Sequence, residues 1–450
     1  MSMKKPLRIT LIIIASMVGL LILFLLIGIA PLDRTIDYGG LLDTMEVRID
    51  AVDEDPTPGS NGLAIGFGKV NLTPSQPVAC AGYGKRLGKL YESVHDSIYV
   101  RALVIDNGIK RVAIVSADLL FIPPTVTALL EQELPDIDFT LNNTYLGATH
   151  THNSIGNWVK GVPSIFYGSY DDSIVHFIAD KIKASINRAI VNIQPATIKV
   201  DSIAMADGVY NRVTDGGPVD PLIRFIEIEQ RDSSKLLFLS YTAHATCLFS
   251  RDLVLSGDYP GKLTQILESR GYAFAMFMAG AVGSHGPAAP DAGWDCVNWM
   301  AEEIAERLQT HREGLREIKN TSMEMHRVPL ALSIPQPKVL RHLRVRPWLF
   351  EAAFGEYPSF ISVLRIGDIV FLSTPCDFSG EFNFALDSLA RTKNIFPVVT
   401  SFNGGYIGYL TPEKYYDANH HETQLMNWYG SGNGEYVKEA LEKLMLNVVE

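Results

Sequence analysis

No cluster of basic residues is dense enough to offset the acidity of this sequence. Against 39 Lys and Arg stand 50 Asp and Glu, a formal charge of −11, which repels phosphate backbones and excludes nucleic acid as a partner. The densest basic run, Arg341, His342, Arg344 and Arg346 before Trp348 and Phe350, reads as a solvated strand or loop. There is no G-x-S-x-G turn, the elbow of a serine esterase of the α/β-hydrolase type. No P-loop lysine follows the glycines near 280–286, which disfavours a nucleotide site. Cysteine is scarce: Cys80, Cys247, Cys296 and Cys376 form neither a zinc knuckle nor a redox pair by spacing. They read as small buried residues; an exported location would permit disulfides, but no pairing follows from sequence.

What is present begins with a long apolar run. Residues 9–29 carry no charge and have the length of a helix crossing a ~30 Å hydrocarbon core. Lys4, Lys5 and Arg8 precede the run, so the expectation is a signal-anchor with residues 1–8 as a cytoplasmic basic tail and the remainder periplasmic or extracellular. A cleaved signal peptide is the rival reading, but the run exceeds the usual ~7–15-residue apolar region and lacks a clear A-x-A site. Residues 30–62 read as a juxtamembrane connector ending in AVDEDPTPGSNG, which should be extended or loose. From Leu63 to residue 450 no Gly/Ser linker or low-complexity run divides the chain, and a single large domain is expected.

Within that domain a strand, a tight polar turn and a second apolar strand recur three times, each unit closing on a polar residue. ALVIDNGIKRVAIVSAD ends on Asp118, FIEIEQRDSSKLLFLSYTAH on His244, and SVLRIGDIVFLSTPCD on Asp377. A further apolar run, NTYLGATH, ends on His150. Strand ends aim side chains into crevices, so these residues share one kind of address. Apolar residues three or four apart predict helices near 124–134, 172–190, 260–270, 292–313 and 432–448. The fold class expected is α/β in the mixed α+β sense: mixed sheets with β-hairpins, flanked by helices.

The strongest local signal is GATHTHNSIG at 147–156, where His150 and His152 point the same way on an extended chain. With His244 and Asp377 they are nitrogen and oxygen donors of the kind zinc accepts. Here the sequence resembles the neutral, alkaline-type ceramidases, almost continuously from about 63 to 445. GKVNLTP and AGYG are similar to the family's opening motifs, VHDSIYVRALVI and VAIVSAD to its early strands, and GATHTHNS to its THTH motif. YNR at 210–212, YTAHATC, SGDYPG at 256–261, TPCDF at 374–378 and NGGYIGYLTPEKYY follow in the family's order.

The resemblance implies Zn²⁺ held by His150, His244, Asp377 and Tyr409, with His152 and Arg212 flanking the substrate and water as the attacker. It implies cleavage of an N-acyl amide in a ceramide-like lipid, or of another amide or ester in an amphiphilic small molecule near a membrane. A catalytically inactive binding protein of the same fold is the alternative from another class. Departures matter too. Where the family carries a serine, this chain has Gly286, which excludes a serine acyl-enzyme there. Ser284 and His285 are new in that loop, and His285 is either an acid–base group or a filler of a glycine-rich turn. Asp377 replaces the family's glutamate. His421, beside His420 and Glu422, stands where the family has a second active-site tyrosine and is a proton donor, an extra ligand or surface decoration. Nothing after residue 450 matches the C-terminal β-sandwich of the family. Asp118 reads as a support for a zinc histidine or as a turn residue, and Asp258 as a similar support or as an N-terminal helix acid. Oligomeric state is not legible.

Overall fold

The computed structural model describes residues 5–52, 59, 62–311, 314–356 and 358–449. The chain begins with the apolar helix α1 (Lys5–Gly28) and continues into helix α2 (Tyr38–Asp50), capped by Asp37, whose Oδ1 accepts from Gly40 N at 3.0 Å. Strands β1 (Leu63–Asn71), β2 (Tyr99–Asp106) and β3 (Arg111–Ala117) precede helix α3 (Pro124–Glu133) and strand β4 (Thr144–Ala148). Helix α4 (Asp172–Val191) leads to β5 (Gln194–Ala204), β6 (Leu222–Gln230) and β7 (Lys235–Tyr241). Helix α5 (Asp258–Ser269), β8 (Phe274–Ala279), α6 (Trp294–Thr310) and β9 (Arg316–Ile318) complete this half. The remainder comprises β10 (Met323–Pro329), α7 (Pro347–Phe354), β11 (Phe360–Ile366), β12 (Ile369–Thr374), α8 (Asn383–Thr392), β13 (Phe396–Ser401) and α9 (Asn433–Asn447).

The 9-stranded sheet runs β8-β7-β6-β5-β1-β2-β3-β4, with β9 also pairing with β5; a 4-stranded sheet runs β10-β11-β12-β13. All three expected hairpins form: β2 with β3, β6 with β7, and β11 with β12. The first turns at Asn107, whose Oδ1 accepts from Lys110 N at 2.8 Å, while Gly108 supplies the positive φ of 85°. Each of the longer expected helices is present within a few residues of its predicted ends.

Strand alternation builds four layers. On one face of the large sheet Val104, Val115 and Leu239 meet Ile178, Ile182, Leu263 and Met300 of the helices. The opposite face presents Ile105, Ile114, Phe238 and Met276 to Leu364, Phe371 and Val398 of the small sheet. Val363, Leu372 and Val399, on the far side of the small sheet, pack under Leu386, Val437, Leu441 and Leu444. Gly68 lets α4 lie directly on β1, because a Cβ there would stand 2.0 Å from Ser185 O.

Two features go beyond the sequence reading. Residues assigned to the connector are partly folded: α2 buries Met45 and Ile49 in the outer core beside α9, and Ile29–Pro31 pairs with Leu343–Val345. Most of the stretch AVDEDPTPGSNG lies outside the described residues, as do residues 1–4 of the basic tail. Cys247 and Cys296, for which the sequence assigns no pairing, form a disulfide with a Cα separation of 5.4 Å. The partners lie 49 residues apart, Cys247 in the loop after β7 and Cys296 in the first turn of α6, a meeting that spacing does not reveal. Cys80 and Cys376 are free and buried.

Candidate metal centre

Three parallel pairs, β3 with β4, β7 with β8 and β12 with β13, point their C-terminal ends to one place. The two ends of the large sheet come together there: Ser116 Oγ on β3 donates to Phe277 O on β8 at 2.6 Å. Across the sheets Ser401 Oγ donates to Gly280 O at 2.9 Å, and Gly283 permits the closest approach, since a Cβ would fall 2.1 Å from Asp377 O. Loops leaving β4, β7 and β12 therefore deliver His150 and His152, His244, and Asp377 to a common point.

The three imidazoles meet through their Nε2 atoms, at 2.8 Å for His150 and His244, 3.2 Å for His150 and His152, and 3.1 Å for His152 and His244. Asp377 Oδ1 lies 3.3 Å from His150 Nε2 and 3.8 Å from His244 Nε2. That oxygen is buried without a hydrogen-bond partner, whereas Oδ2 accepts from Tyr406 OH at 2.8 Å. Donors around a tetrahedral metal with ~2.0–2.1 Å bonds stand roughly 3.3 Å apart. The separations and the orphaned carboxylate oxygen fit such an ion, and His150, His152 and His244 form a cluster that could hold one.

The surroundings prepare the donors. His150 Nδ1 donates to Leu120 O at 2.5 Å, leaving Nε2 free to ligate. Its ring stacks on Phe402 with centroids 4.0 Å apart, and both residues hold positive φ, 62° and 70°, a strain the packed core sustains. His244 Nδ1 stands 3.3 Å from Val282 O. Burial, reinforced by His150 and Arg212, drives His152 and His244 well below the ordinary histidine range. They are thus neutral, the state a ligand requires. Arg86, which sequence reading missed, is buried beneath this loop and donates to His152 O at 2.5 Å and Asn153 Oδ1 at 3.1 Å. Its only sequence signal is its place in AGYGKR, beside a motif already singled out.

The remaining candidates divide. Tyr409, brought beside Asp377 by the parallel pairing of Asp377–Phe378 with Tyr409–Leu410, stacks on His244 at 6.4 Å between centroids. Burial, with Asp377 next, holds its phenol well above the usual tyrosine range. His421 sits edge-on to Tyr409 at 5.8 Å and lines the cavity mouth. Arg212 is absent from the cavity wall: Nη2 pairs with Glu422 Oε1 at 2.8 Å and Nη1 stands 3.0 Å from His244 Nδ1. His285 is also absent from it. Its Nε2 accepts from Asp220 N at 3.2 Å, its ring presses on Gly380, and burial pushes it down to about 4. That arrangement matches the turn-filling reading. Asp118 accepts from Tyr99 N and Arg101 Nη1, at 2.8 and 3.2 Å, and Asp258 from Tyr259 N at 2.6 Å; among their side-chain hydrogen bonds none goes to a histidine.

Above the donors opens a cavity of about 910 Å³, with His150, His152, Asp377 and Tyr409 at its floor. Its walls are aromatic and aliphatic. Phe121 stacks on Tyr406 at 4.6 Å and meets Trp158 edge-on at 4.9 Å, and Leu349, Phe350 and Phe354 of α7 close another side. A mostly apolar space with few convergent polar groups suits an amphiphile.

Residues 63–275 match the family described as neutral/alkaline non-lysosomal ceramidase, N-terminal. Through this segment the chain is similar to the neutral/alkaline ceramidases. A neutral ceramidase of Mycobacterium tuberculosis (strain ATCC 25618 / H37Rv) is 22% identical over 222 residues, 44% of this chain and 34% of that protein. The match thus spans about a third of the curated relative's length. The crystal structure of neutral ceramidase from Pseudomonas aeruginosa superposes with a TM-score of 0.73 at 18% identity, covering 87% of this chain and 75% of that one. A ceramidase complexed with C2 gives 0.72 at 17% identity, covering 87% and 74%. At such identities the structures establish the fold alone.

Proposed function

We propose that this chain is a membrane-anchored, zinc-dependent hydrolase that cleaves an N-acyl amide of a ceramide-like lipid. The observation that carries the reading is Asp377 Oδ1, buried and unpartnered, facing three converging imidazoles at the floor of an apolar cavity. His150, His152, His244 and Asp377 would hold the ion, which extends the expected set by His152 and leaves Tyr409 beside it. When bound, zinc supplies a Lewis acid that polarises a carbonyl and lowers the pKa of water to about 7.

The chain's own groups do the rest. The cavity walls exclude water and align an acyl chain, fixing the amide over the floor. Tyr409, kept as the neutral phenol, donates its O–H toward the carbonyl oxygen as negative charge develops there. Arg212, tied to Glu422, acts behind the floor by orienting Tyr409 and His244. His421, at the mouth, is held below the ordinary histidine range by burial, so as a neutral ring it takes the proton that the attacking water gives up when its oxygen joins the acyl carbon, and it passes that proton to the departing amine as the C–N bond breaks. The products are a fatty acid and an amine.

Anchoring rests on α1, whose 21 residues from Arg8 to Gly28 are long and apolar enough to cross a membrane and are almost wholly unburied. Arg8 and the lysines before it favour a cytoplasmic N-terminus, and the Cys247–Cys296 disulfide fits an oxidising space on the far side. The test is elemental analysis of the purified protein together with N-acyl-sphingosine hydrolysis. About one zinc per chain, lost with activity in His150→Ala and His244→Ala, is expected. A metal-free wild type that still hydrolyses the lipid would overturn the mechanism.

A further inference from the structure

One wall of the cavity is fastened to the end of α1. Ile29–Pro31 pairs antiparallel with Leu343–Val345, Ile29 lying opposite Val345. Arg346 N donates to Gly28 O at 2.9 Å, Arg346 Nε to Ile29 O at 3.2 Å, and Trp348 Nε1 to Ile27 O at 3.3 Å, within the last turn of α1. Gly28 lets this wall come close, since a Cβ there would lie 2.9 Å from Leu349 Cδ2. Leu349 and the next turn of α7, Phe350 and Phe354, line the cavity itself. A wall of the substrate space therefore stands where the apolar helix ends.

The exposed groups around it have the character of a membrane interface. Val162, Phe166 and Leu425 line the cavity yet are 46%, 38% and 54% exposed, which makes them an apolar rim. Trp348 is 48% exposed with its indole N–H already satisfied, the arrangement in which tryptophan populates the headgroup level. Arg341 and Arg346 are exposed beside it, on a chain whose overall charge is −11. Anionic headgroups are their complement.

We propose that α7 and this rim form a membrane-docking face, so that the cavity opens onto the bilayer from which α1 emerges and a long-chain substrate enters from the outer leaflet without crossing water. The inference rests on the reading of α1 as a membrane span. It turns the basic run, read from sequence as solvated, into part of a lipid contact. The partner is a lipid surface because the face is continuous with the span, apolar at its rim and cationic beside it.

The test uses the full chain reconstituted into vesicles of phosphatidylcholine and phosphatidylglycerol brominated near the headgroup end of their acyl chains. No tryptophan precedes residue 158, so α1 itself is silent. Strong quenching of the wild type, largely lost in Trp348→Phe, is the expected result. Co-flotation with vesicles but equal quenching in both proteins would overturn the docking face and leave the span standing; failure to co-float would overturn both. In parallel, Trp348→Glu should reduce turnover of a bilayer-embedded N-acyl lipid several-fold while leaving that of a soluble short-chain amide unchanged. An equal loss on both substrates would contradict the proposal.

Discussion

The floor and the α7 wall of the cavity are built on opposite principles. Floor residues sit at or just beyond strand ends, in short loops whose rings are locked by Phe402, Leu120 O and Arg86. The wall is a short helix of 8 residues held by contacts to α1 and by aromatic packing of Phe350 and Phe354 on Trp428. Chemistry that needs donors held within a fraction of an ångström belongs on the first, and a surface that admits chains of varied shape belongs on the second. Floor substitutions should therefore act on metal content and kcat, and wall substitutions on KM.

The largest effect expected is from His244→Ala, which removes a fully buried donor. Turnover should fall on the order of a thousandfold, the weight of several kcal/mol of lost metal-centred stabilisation, with zinc lost in elemental analysis. Retained zinc and kcat would erase the distinction between floor and wall. Next, Cys247→Ala should destabilise the loop region behind His244 by about 4 kcal/mol in the chain-entropy model for a 49-residue loop, read as a lower denaturant midpoint. Asp258, which anchors the same loop through Leu248 N, comes third. Burial raises its carboxyl from 3.8 to about 6, so the folded state binds the proton more tightly than the unfolded chain. Its contribution is full below pH 3.8 and is lost as pH rises through about 6; Asp258→Asn should flatten that slope by up to about 3 kcal/mol in urea midpoints taken across the range.

Tyr406→Phe sharpens the comparison, because Tyr406 belongs to the wall yet donates to Asp377 Oδ2. Loss of that donor should weaken metal affinity about tenfold in chelator competition, the effect of removing a partner that orients a ligand. The smallest change is expected from Phe354→Ala, which should raise KM for long-chain amides a few-fold while kcat and zinc stay unchanged. A fall in kcat would show that the wall also positions the reacting carbonyl.

Much of the floor was legible because it is local. The three hairpins are written in alternation and turn residues, and their closing residues His244 and Asp377, with His150 from the β4 run, carry the donors. His152 was legible as a neighbour of His150 on an extended chain, but not its grouping with His244, since the bend at His150 swings both rings to one point. His285 and Arg212 carried chemistry-bearing side chains whose direction depends on Asp220, Gly380 and Glu422, all distant in sequence. The wall was not legible: α7 is too short to display a helical period.

The sequence by itself determined the polar residues that close the strands, the long helices, the apolar N-terminal run and the resemblance that unites them, because each is encoded within a short window of periodicity, turn chemistry or motif. Only the tertiary structure decided that Cys247 meets Cys296, that α2 joins the outer core, that His285 turns away, and that α7 closes the cavity beside the end of α1. These depend on contacts between segments tens to hundreds of residues apart, which the packing of the four layers brings together and no local pattern records.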